Sequence, residues 1–334
     1  MPKKEVTNLD EEIVDDSGLQ KVIGKINKQY GKNTVTTINS AEIQPVEVIP
    51  TGSLALDSAL GVGGLPRGRL IELYGEQSSG KTNIALSTIA QAQKLGFKCF
   101  FIDAEYALDP QLAKGIGVNI DELYIVQPDS GEQALDITKQ LVESNHFALG
   151  VIDSVAALVP QKELDGEIGD QHVGLQARML TQGIRILTSI VSQTNTCLIF
   201  INQTRAKIGS VGWGPQVDTP GGKALKFGAS VRLDVKAVGR IKDNKDNVIG
   251  NELKITVAKN KLAPPFRVAD TNIIFGKGID LVREVFNTAE SNKVITKSGN
   301  TYMFEETKLG VGAEKSIEFL RENLELFEEL KGKL

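Results

Sequence analysis

Cysteine, tryptophan and net charge are all scarce in this sequence. Its 334 residues include two cysteines, one tryptophan and 5% aromatics, and the net charge is −4. Cys99 and Cys197 each lie inside an apolar run and read as small core residues, which excludes a disulfide framework and a cysteine metal site. The pattern suits a reducing, cytosolic compartment. The near-balanced charge excludes a globally basic nucleic-acid binder, so any such site has to come from a local cluster. No uncharged apolar run is long enough to span a membrane. Met1 to Asp16 lacks the apolar segment of a secretory leader. Those residues set Lys3 and Lys4 against Glu5, Asp10, Glu11, Glu12, Asp15 and Asp16 and read as a solvated, mobile tail. Internal repeats and low-complexity stretches are missing too.

What is present is 41% apolar residues, with enough length for one sizeable core and one or two small satellites. Leu19, Val22, Ile23, Ile26 and Tyr30 recur at helical spacing up to Gly31, and a β-prone stretch, Thr34 to Ile38, follows. This helix and strand could pack on their own core, or dock on a neighbouring subunit by strand addition. From Ile49 to Phe275 short apolar strands alternate with amphipathic helices. Strands are expected at Leu70 to Tyr74, Phe97 to Ile102, Phe147 to Ile152 and Cys197 to Ile201. Helices are expected at Lys81 to Leu95 and Ser130 to Asn145, the latter opening on a Ser130/Gln133 capping box. Continuously apolar strands between helices imply a parallel sheet covered on both faces. After Ser230 the pattern turns to alternation and predicts an antiparallel hairpin through Lys242 to Asn251. Beyond Gly278 come a helix, a hairpin around Ser298-Gly299-Asn300 and a charged helix from Glu314.

Gly75-Glu76-Gln77-Ser78-Ser79-Gly80-Lys81-Thr82 fits the eight-residue phosphate loop, with a strand before it and a helix after it. Its glycines let backbone N–H groups close around phosphates, and the helix N-terminus adds partial positive charge. Lys81 reaches the β- and γ-phosphates, and the Thr82 hydroxyl suits Mg²⁺. Asp153 ends an apolar strand where a Mg²⁺-orienting acid is needed. Asp103 and Glu105 follow another strand. Either could be the general base that takes a proton from the attacking water, or both could be solvated loop acids. Asn202 and Gln203 end a further strand; an amide there could report a γ-phosphate or simply form a turn.

From Gln171 to Arg232 seven basic residues (Arg178, Arg185, Arg205, Lys207, Lys223, Lys226, Arg232) face one acid, Asp218. That local net of +6 in a chain of −4 points to a face for phosphates. Within it, Thr204 to Gly222 is a long glycine-rich loop holding Trp213. Such a loop could track a nucleic-acid backbone and stack on bases, or be a plain surface loop. The preceding loop, Gln161 to His172, is acidic and taken alone is no phosphate binder.

At this point several stretches together resemble the RecA recombinase family, from about Leu19 to the C-terminal helix. They are Thr51 to Asp57 with Gly63 to Pro66, Gly75 to Thr82, Ile102 to Pro110, Asp153 to Ala157, Gly166 to Asp170, Phe200 to Gln203 and Gly221 to Phe227. The resemblance implies ATP and Mg²⁺ as cofactors, held by Gly75, Glu76, Gln77, Ser78, Ser79, Gly80, Lys81, Thr82, Asp109 and Asp153, with Thr82 and Asp153 at the metal. It implies Glu105 as the catalytic glutamate and Gln203 as the γ-phosphate sensor. Lys259 and Lys261 would reach a neighbouring subunit's ATP. DNA contacts are implied at His172, Val173, Arg178, Arg205, Lys207, Ile208, Gly209, Trp213, Gly221 and Gly222. The helix–strand arm becomes a polymerisation element.

Leu112 and Phe275 depart from the family, standing where tyrosines are common near the base. The second loop is one residue longer than usual, and the long acidic tail of many members is absent from the end Lys331 to Leu334.

The expected fold is α/β: a RecA-type P-loop ATPase core, mostly parallel sheet flanked by helices, with an N-terminal helix–strand arm and a small α/β C-terminal domain. The expected divisions are a tail 1–16, a polymerisation arm 17–48, a core 49–277 and a C-terminal domain 278–334. The expected activity is ATP-dependent pairing and strand exchange on single- and double-stranded DNA by a cytoplasmic, self-assembled filament, with a LexA-like repressor as a further partner. A ring helicase motor of the same fold, or an ATP-gated DNA scaffold with negligible turnover, are the rival readings.

Overall fold

A computed structural model describes residues 16–31, 34–37, 46–167, 170, 172, 174–206, 217–243 and 245–334. The chain divides into two compact units, residues 1–46 and 47–334.

The second unit is organised by a nine-stranded sheet. Its strands are β1 (Leu70–Gly75), β2 (Lys98–Asp103), β3 (Leu123–Val126), β4 (Phe147–Asp153), β5 (Cys197–Gln203), β6 (Val231–Lys242), β7 (Val248–Asn260), β8 (Val268–Ile274) and β9 (Gly278–Ile279). In space they run β9-β8-β7-β6-β1-β5-β4-β2-β3. The six strands from β6 to β3 are parallel, and β7 to β9 extend the sheet antiparallel. Parallel pairing puts the C-terminal ends of β1, β2, β4 and β5 on one edge, where ligands of open α/β sheets sit.

Alternate residues of one strand enter opposite cores, because side chains alternate across a pleated sheet. Ile71, Leu73, Phe101, Val151 and Ile199 join the cluster that includes Ile84 and Ile89 of the helix Lys81–Lys94. Leu70, Phe100, Ile152 and Phe200 join the cluster of the helices Gly131–Glu143 and Leu175–Thr194. Both faces are covered, so β1, β2, β4 and β5 read as near-continuous apolar runs. The helix Gly131–Glu143 begins as expected, with Ser130 Oγ accepting from Gln133 N at 3.3 Å. Gln133 Oε1 reaches back one residue further than the expected box, to Asp129 N at 2.5 Å.

The C-terminal part has its own apolar cluster, Phe286, Tyr302, Phe304, Ile317 and Leu330 among it, under a three-stranded antiparallel sheet, Ile295–Ser298, Thr301–Phe304 and Thr307–Val311. Glu284 ties it to the larger core. Its carboxylate accepts from Ser53 Oγ at 2.8 Å, from Ala55 N at 3.3 Å and from Thr271 Oγ1. The charged terminal helix proves to be two, Ala313–Glu322 and Leu324–Gly332, broken at Asn323 (ψ +76°).

In the first unit the expected helix forms as Asp16–Tyr30, with Leu19, Val22 and Tyr30 exposed. Residues 34–37 form no strand. The Val35 backbone instead pairs with the Asn27 side chain, N–H to Oδ1 at 2.8 Å and C=O to Nδ2 at 3.0 Å. A lone strand has no ladder to satisfy its backbone, so a local side chain takes that role. Ile38 and the tail 1–15 lie outside the described residues. No helix among the described residues is long and apolar enough to cross a membrane.

Candidate active site

The phosphate loop leaves β1 at Gly75. A Cβ there would meet Val235 O at 2.1 Å, so only glycine lets the two chains approach this closely. Gly80 has φ +93°, which L-residues rarely adopt, and it hands the chain to the helix beginning at Lys81. The Lys81 ammonium is buried inside the loop, donating to Glu76 O at 2.6 Å, Gly75 O at 3.2 Å and Ser79 Oγ at 3.3 Å. Burial pulls its pKa down, against the pull of Asp153 and Glu105.

A cavity of about 380 Å³ opens beside the loop, lined by Ser78 to Asn83 with Asn251, Leu253, Ile273 and Phe275. Asn83 Oδ1 is buried with no hydrogen-bond partner among the described residues. A glycine-bounded cradle, an ammonium at its centre and a polar atom awaiting a partner fit a nucleotide triphosphate. Thr82 Oγ1 donates to Asp153 Oδ2 at 2.7 Å. Burial pushes Asp153 up to about 6, with the neighbouring Glu105 adding and the Thr82 bond and Lys81 opposing. A hydroxyl and a carboxylate side by side are hard oxygen donors of the kind Mg²⁺ takes. Among the described residues no group of His, Cys, Asp and Glu forms a separate metal cluster.

The two acids after β2 are in different situations. Asp103 is buried and fully engaged, accepting from Ala107 N at 3.1 Å, Leu108 N at 3.2 Å and Gln127 Nε2 at 3.1 Å. It shapes the turn. Glu105 is exposed, and its Oε1 accepts from Gln203 Nε2 at 3.0 Å and from the Ser154 hydroxyl. β2, β4 and β5 thus deliver Glu105, Asp153, Ser154 and Gln203 to the edge that carries the phosphate loop. Asp109 is not among the cavity's lining; it caps the helix Pro110–Ile116, accepting from Gln111 N at 2.8 Å. Leu112 packs on the core, whereas Phe275 is 53% exposed and lines the cavity.

This arrangement is matched by known proteins. Family models of the RecA N-terminal domain and the RecA C-terminal domain match residues 17–280 and 283–334. The chain belongs to the RecA family. It is 50% identical over 316 residues to Protein RecA of Thermus thermophilus, covering 95% of this chain and 93% of that one. Protein RecA of Campylobacter fetus subsp. fetus is 49% identical, at 95% and 91% coverage, and that of Acinetobacter baylyi is 49% identical, at 94% and 89%. The crystal structure of the RadB recombinase shares the fold, with a TM-score of 0.52, 23% identity, and 70% of this chain and 98% of that one covered. The chain is therefore a RecA recombinase and a DNA-dependent P-loop ATPase that binds ATP and DNA and self-associates.

In this RecA chain the second loop begins where β5 ends, at Gln203. A two-residue antiparallel pair closes its base, Arg205 opposite Asp218 and Ala206 opposite Val217. Lys207, Ile208, Gly209, Trp213, Val173 and the Arg205 side chain lie outside the described residues. Of the other expected DNA residues, Arg178 is exposed in the first turn of the helix Leu175–Thr194. His172 is half-buried, with Nε2 unpartnered among the described residues. Gly221 and Gly222 take φ +83° and +71° at the loop's exit.

Sequence reasoning missed the connection between loop and nucleotide edge. Asn202 Nδ2 donates both to Pro220 O at the loop's end (3.2 Å) and to the buried Glu72 (3.0 Å). Asn202 Oδ1 accepts from the Gln203 N–H at 3.0 Å. Glu72 is closed from the other side by Arg232 Nε at 2.5 Å, whose guanidinium stacks 4.4 Å from the Tyr74 ring centroid. The only sequence signal was a charged residue within an otherwise apolar β1. Lys259 stands opposite Arg232 across β6 and β7, and its ammonium donates to Lys226 O at 3.0 Å and Phe227 O at 2.9 Å. Burial and the adjacent Lys261 lower its pKa.

Proposed function

We propose that this recombinase polymerises on single-stranded DNA, pairs it with homologous duplex and exchanges strands in the cytoplasm, hydrolysing ATP held between adjacent subunits. Residues 17–48 act as the polymerisation arm, 49–277 as the ATPase core and 278–334 as a small C-terminal domain. A LexA-like repressor is a further partner on this reading. The convergence of Lys81, Thr82, Asp153, Glu105 and Gln203 on one sheet edge carries the proposal.

The roles divide as follows. Gly75 to Thr82 hold the phosphates, with Lys81 as the ammonium aimed at them. Thr82 and Asp153 would hold Mg²⁺, which when bound neutralises phosphate charge. Glu105 accepts a proton from the attacking water; Asp103 is committed to its turn. Gln203 reports the γ-phosphate to Asn202 and so to Pro220. Arg178, Arg205, Lys207, Gly221 and Gly222 face DNA.

Lys259 and Lys261 serve the neighbour's ATP. Lys259 is in register with Arg232, and Arg232 with Glu72, three residues before Gly75 and two strands away. At about 3.3 Å per residue and 4.8 Å per strand, the Lys259 and Gly75 backbones are roughly 14 Å apart. A lysine side chain, about 6 Å long, does not bridge that gap within one subunit. Engagement of a neighbour's phosphate would exchange two neutral carbonyl acceptors for a charged one, a stronger bond.

Mixing Lys81→Ala subunits with Lys259→Ala/Lys261→Ala subunits tests this. Mixed filaments contain junctions where an intact phosphate loop meets intact lysines, so part of the DNA-dependent ATPase activity returns. Confirmed mixed filaments with no activity above the two mutants alone would refute a shared site.

A further inference from the structure

We propose that Ser154 is a positioning residue for hydrolysis: its hydroxyl orients the Glu105 carboxylate so that Oε2 faces the attacking water. The inference rests on Glu105 being the base. In that step the water's proton passes to Glu105 Oε2 while its oxygen bonds to the γ-phosphorus. The bond from phosphorus to the β–γ bridging oxygen breaks, and its electron pair leaves with ADP.

Both donors found at Glu105, Ser154 Oγ and Gln203 Nε2, converge on the same oxygen, Oε1. Among the described residues no hydrogen bond reaches Oε2, so the carboxylate has one anchored and one available oxygen. The two anchors differ in rigidity. Ser154 is 1% exposed and directly follows β4. Its backbone carbonyl is tied into the next turn by Ala157 N at 3.0 Å. Its hydroxyl has no other acceptor to choose among the described residues. Gln203 is half-buried at the end of a flexible side chain. If its amide turns to a γ-phosphate, the Gln203 anchor is lost at the moment the base is needed. Ser154 is then the group that keeps Glu105 aimed. Glu105 is exposed and would otherwise sample several rotamers, and small misplacements of a reacting group cost large factors in rate.

The test uses full-length protein on single-stranded DNA. Ser154→Ala should lower kcat by about 10–100-fold, leaving the affinity for a fluorescent ATP analogue and filament formation essentially unchanged. Ser154→Cys keeps a donor, though a weaker one on a somewhat larger side chain, and should fall between serine and alanine, an order that a packing defect alone would not give. In a Glu105→Gln background, adding Ser154→Ala should change the residual rate by less than about 2-fold, because the two residues act as one unit. An unchanged kcat in Ser154→Ala, or its full effect persisting on top of Glu105→Gln, would overturn the positioning role alone. Normal hydrolysis by Glu105→Gln itself would overturn the base reading and this proposal with it.

Discussion

Replacing Glu72 by alanine isolates the buried charge that links the nucleotide edge to the second loop. The Glu72 side chain is 0% exposed and Arg232 only 12%. Deleting the carboxylate leaves the Arg232 guanidinium without its acid and removes one acceptor of Asn202, which keeps Pro220 O. Removing one partner of a buried pair costs about 3–5 kcal/mol, because the other charge stays desolvated. The Tyr74 face 4.4 Å from the guanidinium retains some attraction, so the lower end, ~3 kcal/mol, is expected. At about 2–4 °C per kcal/mol that is a fall in Tm of about 6–12 °C. The melts should be run at one protein concentration, since self-association raises apparent stability. Glu72→Met with Arg232→Met should recover at least half of the loss, because no lone charge remains. A Glu72→Ala protein within about 1 kcal/mol of the parent, or a double variant no more stable than the single one, would refute the account.

Glu105→Gln should retain nucleotide binding and lose hydrolysis by about 10²–10⁴-fold in a DNA-stimulated assay, whereas Asp103→Asn should mainly lower Tm by weakening its turn. Removing residues 1–38 should leave an ATP-binding core that forms no filaments by electron microscopy, because the exposed Leu19, Val22 and Tyr30 face goes with it. Asp57→Asn should raise Tm more at pH 8 than at pH 5. Burial, with Glu284 adding and the Thr51 bonds opposing, pushes Asp57 up to about 6, so the fold holds its proton longer than the unfolded chain does and loses stability as pH rises from about 4 through 6. The loss is at most ~3 kcal/mol and smaller for a half-buried side chain; equal gains at both pH values would contradict it.

What could be read from the sequence was local. The phosphate loop, its flanking strand and helix, and the apolar strands β1, β2, β4 and β5 are contiguous patterns whose physics acts over a few residues. Two misread elements depended on what the chain meets elsewhere. Thr34 to Ile38 has strand-like composition, but a strand needs a partner edge, and Val35 bonds Asn27 instead. The charged helix from Glu314 carries a periodicity that continues through Asn323, so its break left little trace. Strand β3, four residues with Tyr124 and Ile125 half-exposed, is too short and too exposed to announce itself by alternation.

The site divides along the same line. Glu105 and Asp103 were equal candidates by spacing, and three donors to one of them separate them in space. Glu72, Asn202 and Arg232 meet across 130 and 160 residues of chain, and Ser154 meets Glu105 across 49. No window of sequence contains those pairs. Yet each of these residues except Glu105 lies on a parallel strand or directly after one. Strand order alone therefore brings the loop's end at Pro220, the Asn202 and Gln203 amides and the buried Glu72 into one line. The chemistry was legible where it is a motif; the coupling belongs to the order in which the strands are laid side by side.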